Sequence, residues 1–221
     1  AIEAGSGGFV INGVSNYDYS GYSVSSAGDV NGDGFDDLII GAKGDDPNGD
    51  FSGASFVVFG KTDGTAVELS AIEAGSGGFV INGVSNYDQS GFSVSSAGDV
   101  NGDGFDDLII GARGDDPNGY DSGASFVVFG KTDGTAVELS AIEAGSGGFV
   151  INGVSNYDYS GYSVSSAGDV NGDGFDDLII GAKGDDPNGD FSGASFVVFG
   201  KTDGTAVELS AIEAGSGGFV I

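Results

Sequence analysis

The 221-residue chain contains no cysteine, histidine, methionine or tryptophan, only three prolines and only six basic residues. Without cysteine there is no disulfide scaffold, no thiol nucleophile and no cysteinyl zinc or iron–sulfur site. Without histidine there is no imidazole base, no histidine haem ligand and no HExxH-type zinc site. The six basic residues face 34 acidic ones, for a formal net charge of −28. That balance, with no basic stripe, argues against nucleic acid and anionic membranes as partners. The longest apolar run falls far short of the roughly 18 residues that a membrane-spanning helix needs. The chain lacks an initiator methionine and a signal-like start, which predicts a processed chain or an excerpt.

What is present is glycine, carboxylate and short apolar clusters. Glycine accounts for 45 residues, 39% of residues are apolar and 18% are charged. The apolar residues stand in β-type clusters, so the acidity does not by itself make a disordered chain. Self-comparison gives the organisation: residues 1–70 recur at 71–140 and, unchanged, at 141–210, and residues 211–221 restart a fourth unit. The middle copy differs at five positions: Gln89 replaces Tyr19, Phe92 replaces Tyr22, Arg113 replaces Lys43, and Tyr120-Asp121 stands where Asp50-Phe51 does. So exact a repeat implies that each unit meets nearly the same neighbours, as in a propeller, a solenoid or a linear array.

Within a unit, short apolar runs bounded by Gly, Asn, Asp and Ser read as strands, and nothing holds a helical period over three turns. Four strands are predicted: Phe9–Val14, Tyr22–Ala27, the nearly unbroken apolar run Asp37–Ala42, and Gly53–Gly60. Ser70 and Glu73 stand at capping-box spacing and suggest a single helical turn. Four strands per unit suit a propeller blade, with a β-solenoid or a beaded string left open. Three blades fall short of the 4–8 that usually close a ring. The last residues, Phe219-Val220-Ile221, fall inside the strand read in full at 79–84, so either an excerpt or a terminal strand completed by a neighbouring chain is expected.

The chemically distinctive segment is AGDVNGDGFDDLIIGA. Counting its first Asp as position 1, Asp29, Asn31 and Asp33 occupy positions 1, 3 and 5, Gly34 position 6, Phe35 position 7 and Asp37 position 9. Alternating oxygen side chains in a tight loop converge on one point, the glycine permits the turn, and the Phe35 carbonyl can fill a further site. Hard oxygen donors with no nitrogen or sulfur select Ca²⁺, and Mg²⁺ fits less well because it demands strict octahedral geometry. An EF-hand is excluded, since position 12 is Ile40 inside an apolar strand rather than a bidentate Glu. The loop recurs as Asp99, Asn101, Asp103, Phe105 and Asp107, and as Asp169, Asn171, Asp173, Phe175 and Asp177. One Ca²⁺ per repeat, three in all, is the expectation. A metal-free Asp/Asn/Gly turn is the alternative, and in it the carboxylates would repel one another.

The pattern F/Y-S-V-x-x-A-G-D-x-N-G-D-G-x-D-D-L-x-x-G-A followed by G-x-x-x-V-x-F-G resembles the FG-GAP repeat of integrin α-subunit β-propellers and their bacterial relatives. The match runs from Gly21 to Gly60 and over the equivalent residues of each unit. The resemblance implies an all-β chain of four-stranded FG-GAP-type β-propeller blades repeated every 70 residues. It also implies a calcium loop between the first two strands of each blade, with the ligands named above.

Other features carry weaker expectations. Gly44–Asp50 is a second acidic cluster, either a further cation site, a partner-binding tip or a solvated turn. Arg113-Gly114-Asp115 spells a tripeptide that integrins recognise, but the other copies read Lys-Gly-Asp, as a simple Lys/Arg exchange would give. Tyr17, Tyr19 and Tyr22 could form a sugar platform or pack between blades. Asp36 is placed to bond loop amides rather than metal. Every acidic cluster appears three times, whereas an active site is normally a single asymmetric constellation, so an enzyme is not expected. The reading that results is a secreted, cell-surface, calcium-stabilised structural or adhesive repeat protein, a segment of a longer array or filament that self-associates head to tail. The alternative is a carbohydrate- or protein-binding propeller module.

Overall fold

A computed structural model describes residues 7–221, and all statements of structure refer to these residues. The first repeat contributes β1 (Ile11–Asn12), β2 (Ser23–Gly28), β3 (Asp37–Ala42), β4 (Ala54–Val58), β5 (Val67–Glu68) and the helical turn α1 (Leu69–Glu73). The second contributes β6 (Gly78–Asn82), β7 (Ser90–Gly98), β8 (Asp107–Ala112), β9 (Ala124–Val128), β10 (Val137–Glu138) and α2 (Leu139–Glu143). The third contributes β11 (Gly148–Asn152), β12 (Ser160–Gly168), β13 (Asp177–Ala182), β14 (Ala194–Val198), β15 (Val207–Glu208) and α3 (Leu209–Glu213), and β16 (Gly218–Val220) comes last.

These strands form open sheets rather than a closed barrel or ring. The orders are β10-β6-β4-β3-β2, β15-β11-β9-β8-β7 and β12-β13-β14-β16, with β1 and β5 as a separate pair. The expectation of four-stranded propeller blades is therefore corrected in strand number. The two complete sheets have five strands, and no ring is formed among the described residues. The phase also differs from the sequence repeat. Strand β6 belongs to the second repeat, yet it pairs antiparallel with β4 of the first, matching Phe56 to Val80 and Val57 to Phe79. Its apolar residues Phe79, Val80 and Ile81 are buried, because pairing with β4 places Phe79 and Ile81 in the core between the first two sheets. The fifth strand is the two-residue β10, which adds parallel to β6.

The middle strands behave as their composition dictates. Asp37–Ala42 forms β3 over the predicted span and is covered on both faces, with Ile39, Ile40 and Ala42 buried. The apolar core lies between successive sheets. Val30 of the first loop and Ile39, Val57 and Phe79 of the first sheet pack with Leu108, Ile110, Phe126 and Val128 of the second, and the second sheet packs on the third in the same way. The expected helical turn is present but begins at Leu69. Its N-cap is Glu68, which makes no side-chain capping bond, so Ser70 and Glu73 do not form a capping box. Burial of Leu69 and Ile72, three residues apart on one face, holds the turn instead.

Candidate metal centre

The carboxylate loop joins β2 to β3, the first two strands of the sheet. A bulge between Ser26 and Gly28 precedes the last pair, Gly28 with Asp37, and Gly28 adopts φ 74°, which turns the chain into the loop. Asp29 organises the turn from its first position. Its Oδ1 accepts the amides of Gly32 (2.8 Å) and Asp33 (3.0 Å), and its Oδ2 accepts that of Gly34 (2.9 Å). Asn31 Oδ1 accepts the Asp33 amide at 2.8 Å, and Asp33 Oδ1 accepts the Phe35 amide at 2.9 Å. Each oxygen-bearing side chain therefore folds back over the loop. The second and third copies repeat the order, with Asp99 accepting from Gly102, Asp103 and Gly104, and Asp169 from Gly172, Asp173 and Gly174.

Asp37 is the buried member of the set. It opens β3 with no exposed surface, and its Oδ2 and Oδ1 accept the amides of Val30 (3.1 Å) and Gly60 (2.8 Å). Burial pushes its pKa up to about 6 against the pull of these two amides, and the charges of Asp33 and Asp29 push the same way. Asp107, bonded to Val100 and Gly130, is pushed up to about 7 by burial, with Asp103 and Asp99 adding to it. Asp177 repeats the bonds to Val170 and Gly200.

All fifteen predicted ligand residues thus sit in or at the end of the three β-hairpin loops. Within each loop the first Asp and the Asn share the amide of the second Asp, as Asp29 and Asn31 share that of Asp33. Among the described residues, however, no three acidic side chains are gathered into a group that could hold a metal ion. The donor set is nonetheless entirely oxygen, and its one buried carboxylate carries charge that burial opposes. That chemistry fits a hard divalent cation.

The sequence did not disclose that the loops are stacked on one another. Asp106 Oδ2 accepts the amide of Asp29 at 2.8 Å, and Asp176 Oδ2 accepts that of Asp99 at 3.0 Å. Asp106 and Asp176 are the counterparts of Asp36, so the expectation that this residue serves loop amides holds, although the amide belongs to the preceding repeat. The Phe105 ring lies over Gly32, where a Cβ would come within 2.5 Å of it, and Phe175 lies over Gly102 in the same way. The only hint in the sequence was the doubled Asp at the end of the loop.

The remaining candidates divide. Gly44–Asp50 forms a turn in which Asp46 Oδ1 accepts the Phe51 amide at 2.6 Å. Its first Asp is not freely solvated: burial raises Asp45 to about 6, and Asp18, Glu73 and Asp46 reinforce the rise. In the second repeat, burial raises Asp115 to about 6 and Asp88 to about 7. The Arg-Gly-Asp tripeptide does not project. Arg113 bonds Gln89 and packs 4.2 Å from the Phe92 ring centroid, and Gly114 is buried. Among the tyrosines, Tyr22 packs on Phe92 with ring centroids 5.1 Å apart, whereas Tyr17 is 76% exposed. No helix among the described residues is long and apolar enough to cross a membrane.

The sheets and loops together define an all-β repeat protein with one carboxylate-rich hairpin loop in each repeat. A family model described as FG-GAP repeat matches residues 20–58, 90–128 and 160–198, just over half of the chain. The chain belongs to the FG-GAP repeat family. Similar proteins include integrin alpha-5 of Xenopus laevis, 33% identical over 181 residues, and integrin alpha-V of Gallus gallus, 32% identical over 178 residues. Each alignment covers 76% of this chain and 15% of the relative. Integrin alpha-PS2 of Drosophila melanogaster is 29% identical over 173 residues, covering 76% of this chain and 12% of the relative. The chain therefore corresponds to a small part of these relatives.

Proposed function

We propose that the chain is a calcium-stabilised, extracellular adhesive or structural repeat protein, part of a longer surface array or filament. The observation that carries this reading is the oxygen-only loop, repeated three times with the same order of amide bonds and stacked from repeat to repeat. In it, Asp29, Asn31, Asp33, the Phe35 carbonyl and Asp37 would hold one Ca²⁺, as would their counterparts in the second and third repeats. The ion would neutralise carboxylates that burial and mutual repulsion disfavour. Three ions bring the formal charge from −28 to −22. Millimolar extracellular calcium would keep loops of modest affinity occupied, so the chain would be most stable outside the cell. The integrin-named relatives favour a surface role over catalysis.

Self-association fits the way the repeats interlock. Each complete sheet takes its fourth strand from the next repeat, so force along the chain runs through backbone hydrogen bonds between repeats. The deciding experiment is a thermal melt with Ca²⁺ and with EDTA. A steep fall on chelation is expected, and an unchanged melt rejects the calcium reading. Electron micrographs test assembly: fibres or long strings support the array, and discrete closed rings refute it.

A further inference from the structure

The five positions at which the middle repeat departs from the others are separated in sequence but meet in space. Gln89, Arg113, Tyr120 and Asp121 line one cleft of about 260 Å³, together with Tyr87 and Tyr159. The fifth, Phe92, lies beneath Arg113. Scattered neutral exchanges would not converge in this way. We infer that the junction of the second and third repeats holds a binding site for a neutral sugar ring.

Each exchange changes the chemistry of the cleft. Phe51 (φ 52°) and Asp121 (φ 51°) occupy the same left-handed backbone slot. At the first junction the Phe51 ring stacks on Tyr87, with centroids 6.1 Å apart and planes 15° apart. At the second junction the ring moves back by one residue, where Tyr120 meets Tyr157 at 5.4 Å, and a carboxylate takes the slot. In the first repeat Lys43 lies 5.4 Å from the Tyr19 ring centroid. In the second that ring is gone, and Gln89 Oε1 instead accepts the Arg113 Nε–H at 3.1 Å. The polar groups are rearranged, so that at the second junction a carboxylate and a bonded Arg–Gln pair stand among the rings.

Those groups suit a pyranose. The phenol rings of Tyr87, Tyr120 and Tyr159 offer faces for its C–H surface. The terminal N–H groups of Arg113 and the amide of Gln89 supply donors, and Asp121 supplies acceptors. Hydroxyl groups, which donate and accept, need both. The Tyr159 phenol adds an O–H donor. Among the lining residues Arg113 and Asp121 cancel, and Asp116 beside Asp121, on a chain of charge −28, disfavours an anionic sugar. Tyr87, Gln89, Asp121 and Tyr159 all have φ between 51° and 69°, a costly conformation for such residues, and one that fixes where their side chains point. The volume lies just below the roughly 300–1,000 Å³ of drug-sized clefts and suits one ring rather than a polymer segment.

This site gives the adhesive reading a ligand class, and its test does not depend on the calcium test. The full chain in saturating Ca²⁺ is examined by saturation-transfer NMR against the methyl glycosides of glucose, galactose, mannose and N-acetylglucosamine. Transfer to the ring protons of at least one is expected, with a Kd of about 1–10 mM. A reversal variant carrying Gln89→Tyr, Phe92→Tyr, Arg113→Lys, Tyr120→Asp and Asp121→Phe reproduces the first repeat and is therefore compatible with the fold. It should bind at least tenfold more weakly while melting as the parent does. Absence of transfer from all four glycosides, or equal transfer with the reversal variant, overturns the proposal. Chelator-insensitive melting with transfer intact would reject the calcium reading alone.

Discussion

Asp106 Oδ2 accepts the backbone amide of Asp29 at 2.8 Å, across 77 residues of sequence. The contact ties the side chain at the end of one loop to the first residue of the preceding loop, and Asp176 does the same for Asp99. An Asp106→Asn substitution keeps the shape but replaces a charged acceptor with a neutral one. Hydrogen bonds to charged groups contribute about 1.5–3 kcal/mol, against about 1 for neutral pairs, so a loss near 1 kcal/mol is expected in urea unfolding. Asp106→Ala should lose more, because the Asp29 amide is left without its partner. Wild-type stability in both variants would show that the stacked loops are not coupled.

How much of the fold and the loop was legible in the sequence depended on range. The loop and strand β3 lie within one stretch of chain, where oxygen spacing and an apolar run declare them directly, and Asp37–Ala42 begins and ends at the expected residues. The pairing of β6 with β4 was not legible, because a 70-residue period gives the spacing of units but not the point at which a sheet begins. That point is decided by which edge can bury Phe79 and Ile81. Val137–Glu138, only two residues long, carries no pattern that identifies a strand. The Asp106–Asp29 bond was hidden by distance, since nothing near Asp29 in sequence indicates its partner. The cleft at Gln89 and Arg113 was written as five substitutions whose meeting place only the fold reveals.

Calcium should act as a folding ligand. For a site with no affinity for the unfolded chain, stabilisation is about 2.7 kcal/mol when free ligand stands at 100 times Kd. Three loops of similar affinity should therefore give a large rise in melting temperature between EDTA and millimolar Ca²⁺, with Mg²⁺ less effective at equal concentration. Equal melts in Ca²⁺ and EDTA would remove the metal from the account.

Asp107→Asn separates the metal role of this residue from its structural one. The amide keeps one acceptor oxygen, so one of the Val100 and Gly130 amides loses its partner, but it also removes a charge that burial opposes, as the rise of Asp107 to about 7 records. In EDTA the lost bond and the relieved charge oppose each other, so the variant should melt close to the parent at pH 8. In calorimetric titration it should bind about one fewer Ca²⁺, or bind one at least tenfold more weakly. Full calcium stoichiometry at parental affinity would exclude Asp107 as a ligand.

The metal-free chain should gain stability as pH falls. Burial raises Asp88 to about 7 and Asp45, Asp115 and Asp158 to about 6 in the fold, against an ordinary value of 3.8. Neighbouring carboxylates add to each rise: Asp115, Asp116 and Glu143 around Asp88, and Asp185, Asp186 and Glu213 around Asp158. A carboxylate with a raised folded pKa takes up a proton on folding. Its contribution is complete below about pH 4 and is lost as pH rises through 6 to 7. Asp37 and Asp107, raised to about 6 and about 7, act in the same direction when no metal is bound. Urea midpoints in EDTA should therefore increase from pH 8 to pH 5. Asp88→Asn, which removes the most strongly raised group outside the loops, should flatten the slope. A midpoint that falls over this range would mean that these carboxylates are solvated in the folded chain rather than buried.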